Sequence, residues 1–236
     1  MKPTQTRLRS RLPEATDRPP VTGALDTFWK SISAINYFYW ATLAGFDALQ
    51  RLRPASATEP RDFIEGSIAA HLNLNLPEFD RLLAEQPLRL RYFSLVDAVT
   101  FYEEFLLQTL IRELPTRPTL KPEKPLEKYA KNVIDGRYER RAVEIDEALQ
   151  LDIVSLGSEH ELVVGDLTAS FLVRNIVVHA GGVVSSREVP TLSPLVPGLL
   201  AGVPFPLDEA LWRRFLSALW KHAQDIDLLV RVGYRR

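Results

Sequence analysis

Residues 174–182 read RNIVVHAGG: an Arg-Asn pair and a His among aliphatic side chains, with two glycines directly after. Followed back to Asp166, the aliphatic spacing predicts a helix over 166–179. Asp166 or Thr168 would cap its start, and Gly181 or Gly182 would supply the left-handed residue that ends it. At about 100° per residue, Asn175 and His179 share one face and Arg174 lies one step before Asn175. Leu167 and Phe171 share that side, and Leu172, Val173, Ile176 and Val177 fill the rest. A helix apolar on most sides belongs in a core. The expectation is a buried helix with a narrow Arg–Asn–His edge near its C-terminal end. The glycine pair leaves room there for a ligand or a second chain.

Working outward, the same periodicity predicts a helix over 24–51, where Leu25, Phe28, Trp29, Ile32, Ile35 and Tyr39 recur at three- and four-residue spacings. Shorter helices are expected over 60–71 and in a segment ending near Gln86. A long helix follows over 88–114, with Phe93, Val96, Thr100, Phe101, Phe105, Thr109 and Leu110 as its stripe. The run PTRPTLKPEKP, 115–125, stops it, because Pro115, Pro118, Pro122 and Pro125 cannot continue a helix. A charged helix is expected over 126–151, with a break at Asp135-Gly136. SLGSEHELVVGD, 155–166, and TLSPLVPGLLAGVPFP, 191–206, read as loops. The last helix, 207–230, carries Trp212, Phe215, Leu216, Leu219, Trp220, Ala223, Ile226 and Leu229 at helical spacing. Only ELVV and GGVVSS hint at strand alternation. The reading is an all-α protein: a disordered tail over 1–22, a helical N-terminal extension over 23–87, and an antiparallel helical bundle over 88–236.

Composition narrows the chemistry. The 236 residues carry a formal net charge of −1 and no cysteine. Disulfides, thiolate catalysis and Cys-based metal centres are therefore excluded. A nucleic-acid ligand would need a local basic site rather than a basic surface. The first twenty residues are basic and Pro-rich and lack the apolar run of a signal peptide. The stretch FWKSISAINYFYWATLAGF, 28–46, is too polar for a membrane span. The expected location is the cytoplasm, with no membrane association and no cofactor.

The pattern Arg174-Asn175-Ile-Val-Val-His179 resembles the Arg-x4-His signature of the HEPN superfamily, in the branch near the RiboL-PSP-HEPN and prokaryotic defence-associated domains. The helix FYEEFLLQTLIREL, 101–114, is similar to that branch's first bundle helix, where an acidic residue precedes an aromatic; the match falls on Glu104, with Glu103 as its rival. The resemblance covers about 88–230 and makes the bundle HEPN-like. It implies metal-independent endoribonuclease activity on an RNA substrate, a homodimer with both motifs lining one cleft, and an antitoxin or other regulatory partner protein in a toxin or phage-defence system. Other members of the superfamily are inactive and serve as binding or dimerisation modules.

The chemistry fits the residue types. RNA breaks without metal when its 2′-hydroxyl attacks the adjacent phosphorus, which requires a base, an acid and a cation for the phosphoryl oxygens. His179 would carry protons near neutral pH. Arg174 would clamp the phosphate with parallel donors. Asn175 would orient the phosphate or the imidazole. Each residue also has an ordinary reading. His179 could cap helix carbonyls, Arg174 could be the buried partner of Glu104, and Asn175 could tie a loop to the bundle. His71, His160 and His222 show no ligand spacing, and His222 is expected to face solvent. The aromatic run NYFYW, 36–40, is expected in the core, and RLRSR and RVGYRR at the two ends in mobile termini.

Overall fold

A computed structural model describes residues 22–72, 74–116, 125–135, 141–151 and 158–232. The helices there are α1 (Gly23–Leu52), α2 (Gly66–Leu72), α3 (Leu76–Glu113), α4 (Leu126–Ile134), α5 (Arg141–Leu149), α6 (Ser158–Ala180), α7 (Val189–Leu192) and α8 (Glu209–Val232). No multi-residue strand occurs among the described residues, so the chain is all-α there; GGVVSS contributes only the isolated antiparallel bridge between Val183 and Pro204. The expected tail up to residue 21, residues 117–124 of the proline-rich run, Gly136 and residues 233–236 lie outside the described residues.

The α1 stripe packs as its spacing requires. Leu25, Phe28, Ile32, Ile35 and Tyr39 are buried. Phe28 stacks on Phe105 of α3 and on Trp220 of α8, and Tyr39 lies 4.2 Å from Trp212, centroid to centroid. These contacts run α1 antiparallel to both α3 and α8. Thr22 caps α1 by accepting from the Leu25 N–H at 3.3 Å. Its own N–H donates to Asp227 of α8 at 3.2 Å, and Arg231 donates to the other oxygen of that buried carboxylate at 2.8 Å.

Three expectations need correction. First, α3 opens on a reciprocal Asn75–Glu78 capping box and continues through Pro87, where two separate helices were expected. A mid-helix proline loses one hydrogen bond and crowds the previous turn. Here Leu83 before it and Leu90 and Tyr92 after it are all buried, so packing on both sides holds the helix together. The division after residue 87 falls inside α3, and α1 shares one core with α6 and α8. Second, the buried stripe of α3 runs through Tyr92, Leu95, Ala98, Val99, Tyr102, Phe105, Leu106, Thr109 and Leu110, whereas Phe93, Thr100 and Phe101 face solvent. Third, α6 starts at Ser158, so part of the expected loop, including ELVV, is helical. Asp166 and Thr168 are interior to it. Asp166 does not cap but forms an ion pair with Arg214 of α8 at 2.6 Å.

The α6 segment Val163–Ala180 is long and apolar enough to cross a membrane, with a mean hydropathy of 1.3. In this fold its Leu167, Phe171, Leu172, Val173 and Ile176 are buried, and the helix packs against α3 and α8. His222, expected in solvent, is fully buried, and its Nδ1 shares a 2.5 Å hydrogen bond with the Tyr102 hydroxyl. Tyr102→Phe removes that bond and leaves an imidazole nitrogen facing apolar surroundings. The expected loss is about 1–3 kcal/mol in urea denaturation; a change below about 0.5 kcal/mol would show that the pair contributes nothing to the fold.

Candidate functional site: the C-terminal edge of α6

Arg174, Asn175 and His179 occupy the last two turns of α6, where the helix leaves the core. Arg174 and Asn175 are half-buried and His179 is exposed. The Arg174 Nη1 donates to Asn175 Oδ1 at 2.9 Å, so the two neighbours act as one polar unit. The Arg174 Nε is buried without a hydrogen-bond partner, and no described carboxylate pairs with the guanidinium. A cation in that position, with one edge held by an amide and no described carboxylate paired to it, has the chemistry to accept an anion. His179 makes no hydrogen bond to any described residue, so it does not cap the α6 carbonyls. Among the described residues, no three His, Asp or Glu side chains gather as a metal-ligand set.

The helix end is built by the glycine pair. Gly181 and Gly182 take φ values of 60° and 88°, and the Gly182 N–H turns back to the Ile176 carbonyl at 3.0 Å. Gly182 is required twice over, since a Cβ there would also stand 2.7 Å from Tyr92 Cε2. The Tyr92 hydroxyl donates to the Phe205 carbonyl at 2.5 Å, and the Phe205 N–H donates to the Gly182 carbonyl at 2.9 Å. Arg91, one residue earlier on α3, donates to the Leu207 carbonyl at 2.5 Å and to the Tyr39 hydroxyl at 3.2 Å. Consecutive residues of α3 thus fix both the end of α6 and the start of α8. Sequence reading missed Arg91 and Tyr92; the only signal available was their position next to Phe93, which is exposed where the stripe was expected to be buried.

Glu104 lies elsewhere. It is exposed, accepts from the Gln108 amide at 2.6 Å, and lines a groove of about 530 Å³ with Gly23, Ala24, Thr27 and Phe28 of α1. The expected Glu104–Arg174 pair does not form, because Glu104 turns toward α1 while Tyr92 and Tyr102 of the same helix meet α6. Glu103, the rival, is half-buried. The NYFYW run divides between faces. Tyr39 is in the core, and Trp40 is half-buried beneath Arg213 at 5.0 Å and donates to Asn36 at 3.1 Å. Tyr37 and Phe38 are open to solvent.

Comparison with protein families, curated proteins and solved structures returns no match for the chain.

Gly182→Ala is expected to cost about 1–3 kcal/mol, from the left-handed backbone and the tyrosine ring together, read as a lowered melting temperature; an unchanged melt would remove Gly182 from the account of the α6 end. Burial pushes the Tyr92 phenol from its ordinary 10.0 up to about 12. The neutral form is the one the fold favours, so this contribution is complete below pH 10 and is lost as pH rises toward 12. Wild type should therefore lose more stability than Tyr92→Phe over that interval in pH-resolved melts.

Proposed function

We propose that the chain is a metal-independent endoribonuclease of HEPN type, working as a homodimer. The observation that carries the reading is the half-buried Arg174 cation, tied to Asn175 and paired with no described carboxylate, about one and a half turns before an exposed His179. A scissile phosphate would take the place of the missing counter-charge. In the proposed reaction the 2′-oxygen attacks phosphorus, the bond from phosphorus to the 5′-oxygen breaks, and the products are a 2′,3′-cyclic phosphate and a free 5′-hydroxyl. One imidazole removes the 2′ proton, and a second protonates the leaving oxygen. Each chain offers one His179, and a two-fold pairing at this edge supplies the other. Exposed Val178, Ala180 and Val183 beside it give that pairing apolar surface. The superfamily resemblance adds a cytoplasmic toxin or phage-defence role, restrained by a partner protein.

One feature favours a second reading. No described residue orients the His179 imidazole, which suits a silent module that binds RNA through Arg174 without cutting it. The two readings separate on variants. For the enzyme, His179→Ala lowers the cleavage rate by about 10²–10⁴ with little change in melting. Arg174→Lys lowers it too, because a point charge does not replace a planar fork. Cleavage persists in excess EDTA, yields cyclic phosphate ends and fails on RNA methylated at the 2′-oxygen. Binding that weakens in Arg174→Ala, with no cleavage by wild type of structured or unstructured RNA, selects the silent module.

A further inference from the structure

The outer face of α1 is an apolar strip that the described residues leave open to solvent. Between Lys30 and Asp47 the helix carries sixteen consecutive uncharged residues, 31–46, although its outward positions face solvent. Tyr37 is 75% exposed and Phe38 61% exposed. Along the centre of that face lie Ala34, Tyr37, Ala41, Ala44 and Ala48, all exposed and separated by alternating steps of three and four residues. That is the spacing of a helix seam in a two-helix coil, set on the side of α1 away from its own core. Alanine recurs at every seventh position, 34, 41 and 48, which allows two backbones to approach closely.

We infer that two chains pair α1 against α1 in antiparallel fashion, about a two-fold axis at the level of residue 39. Three observations choose this occupant. The seam is self-complementary in that register: Tyr37 falls opposite Ala41 of the partner subunit, and Ala34 opposite Ala44 of the partner subunit, so each large side chain meets a small one. The charges agree with the same register. The four charged residues of α1 are Asp26, Lys30, Asp47 and Arg51, bound in the single chain as Lys30–Asp26 at 2.6 Å and Arg51–Asp47 at 2.7 Å. In the antiparallel pair Lys30 comes within one residue of Asp47 of the partner subunit, and Asp26 within one of Arg51 of the partner subunit. A parallel pair would instead set like charges side by side. The area is also sufficient for a weak dimer. The strip from Asp26 to Arg51 is about 38 Å long at 1.5 Å per residue. A helix width of about 10 Å gives on the order of 400–500 Å² per copy, at the low end of specific interfaces, so the dimer should be concentration-dependent.

This inference does not rest on the ribonuclease reading, and its test needs no RNA. The chain has no cysteine, so introduced thiols report without background. Equimolar Ala34→Cys and Ala44→Cys chains, mixed and mildly oxidised, should form a cross-linked heterodimer. Ala34→Cys alone should not, since its two thiols would lie about 15 Å apart along the seam. Sedimentation of the full chain at tens of micromolar should give a dimer or a multiple of one, and Ala41→Glu should halve that mass while leaving the melting temperature nearly unchanged. Lys30→Glu should weaken the association, and adding Asp47→Lys should restore it. A wild-type monomer at about 100 µM, a mass unaffected by Ala41→Glu, or equal cross-linking of Ala34→Cys alone would overturn the pairing. So would a monomer that co-sediments with vesicles of mixed zwitterionic and anionic lipid, which would assign the face to a membrane surface.

Discussion

Tyr102 stands where the four long helices meet. Its ring lies 5.9 Å from Phe28 of α1 and 5.9 Å from Phe171 of α6, and its hydroxyl bonds His222 of α8 at 2.5 Å. Each ring contact is worth little alone, but together they fix the azimuth of three helices around α3. The hydroxyl adds a condition the apolar contacts lack. A buried phenol and a buried imidazole are each costly without a partner, and each is the other's partner here. Sliding any of these helices along α3 breaks a ring contact or strands a polar group, so the core accepts one register. With that register set, Arg91 and Tyr92 reach the α6–α8 connection and the motif edge falls at the open end of α6.

The parts legible in the sequence are those where one face of a helix is buried and the other is wet. The α1 and α8 stripes are legible because their buried residues recur at three- and four-residue spacings. The α3 stripe holds at Phe105, Thr109 and Leu110 but fails at Phe93, Thr100 and Phe101, because a period count does not distinguish an outward phenylalanine from an inward one. The α3 break at Pro87 failed for a different reason. The local rule against a mid-helix proline is sound, but buried residues on both sides outweigh it, and that support is not visible locally. His222 was misplaced because burying a histidine depends on a tyrosine 120 residues away. The motif edge was legible in outline. Asn175 and His179 share a face, and the glycine pair ends the helix with positive φ. Whether Glu104 reaches Arg174 was not legible, because it depends on which way each residue of α3 turns, and Glu104 lies on the groove beside α1.

The edge itself joins a rigid base to an open cation. Gly182 is held by Tyr92 and Phe205, so the last turn of α6 does not fray, and Arg174 is presented from a fixed platform. Half-burial removes some water from the guanidinium, which raises its attraction for any anion that reaches it. The informative part is that no described carboxylate pairs with Arg174. Elsewhere in this chain, Arg214 and Arg231 reach into the core and meet Asp166 and Asp227 there. Arg174 has no such described partner, and the sequence sets a histidine about one and a half turns further on.

The seam on α1 and the edge on α6 use different residues on different helices, so occupying one leaves the other open. Each, if paired with a copy of itself, is a two-fold contact in which the same patch meets the same patch. One such contact closes a dimer. Two independent ones on a single chain give a closed assembly when their axes intersect at a suitable angle, with four copies for a right angle, and a growing row of copies when the axes do not intersect. The proposed α1 contact carries its charges towards its two ends, where salt would screen them. Assembly through α1 would therefore depend on concentration and ionic strength, while pairing at the α6 edge would follow whatever fills the Arg174 site. If both proposed contacts form, association would respond to ligand at one surface and to the chain's own abundance at the other.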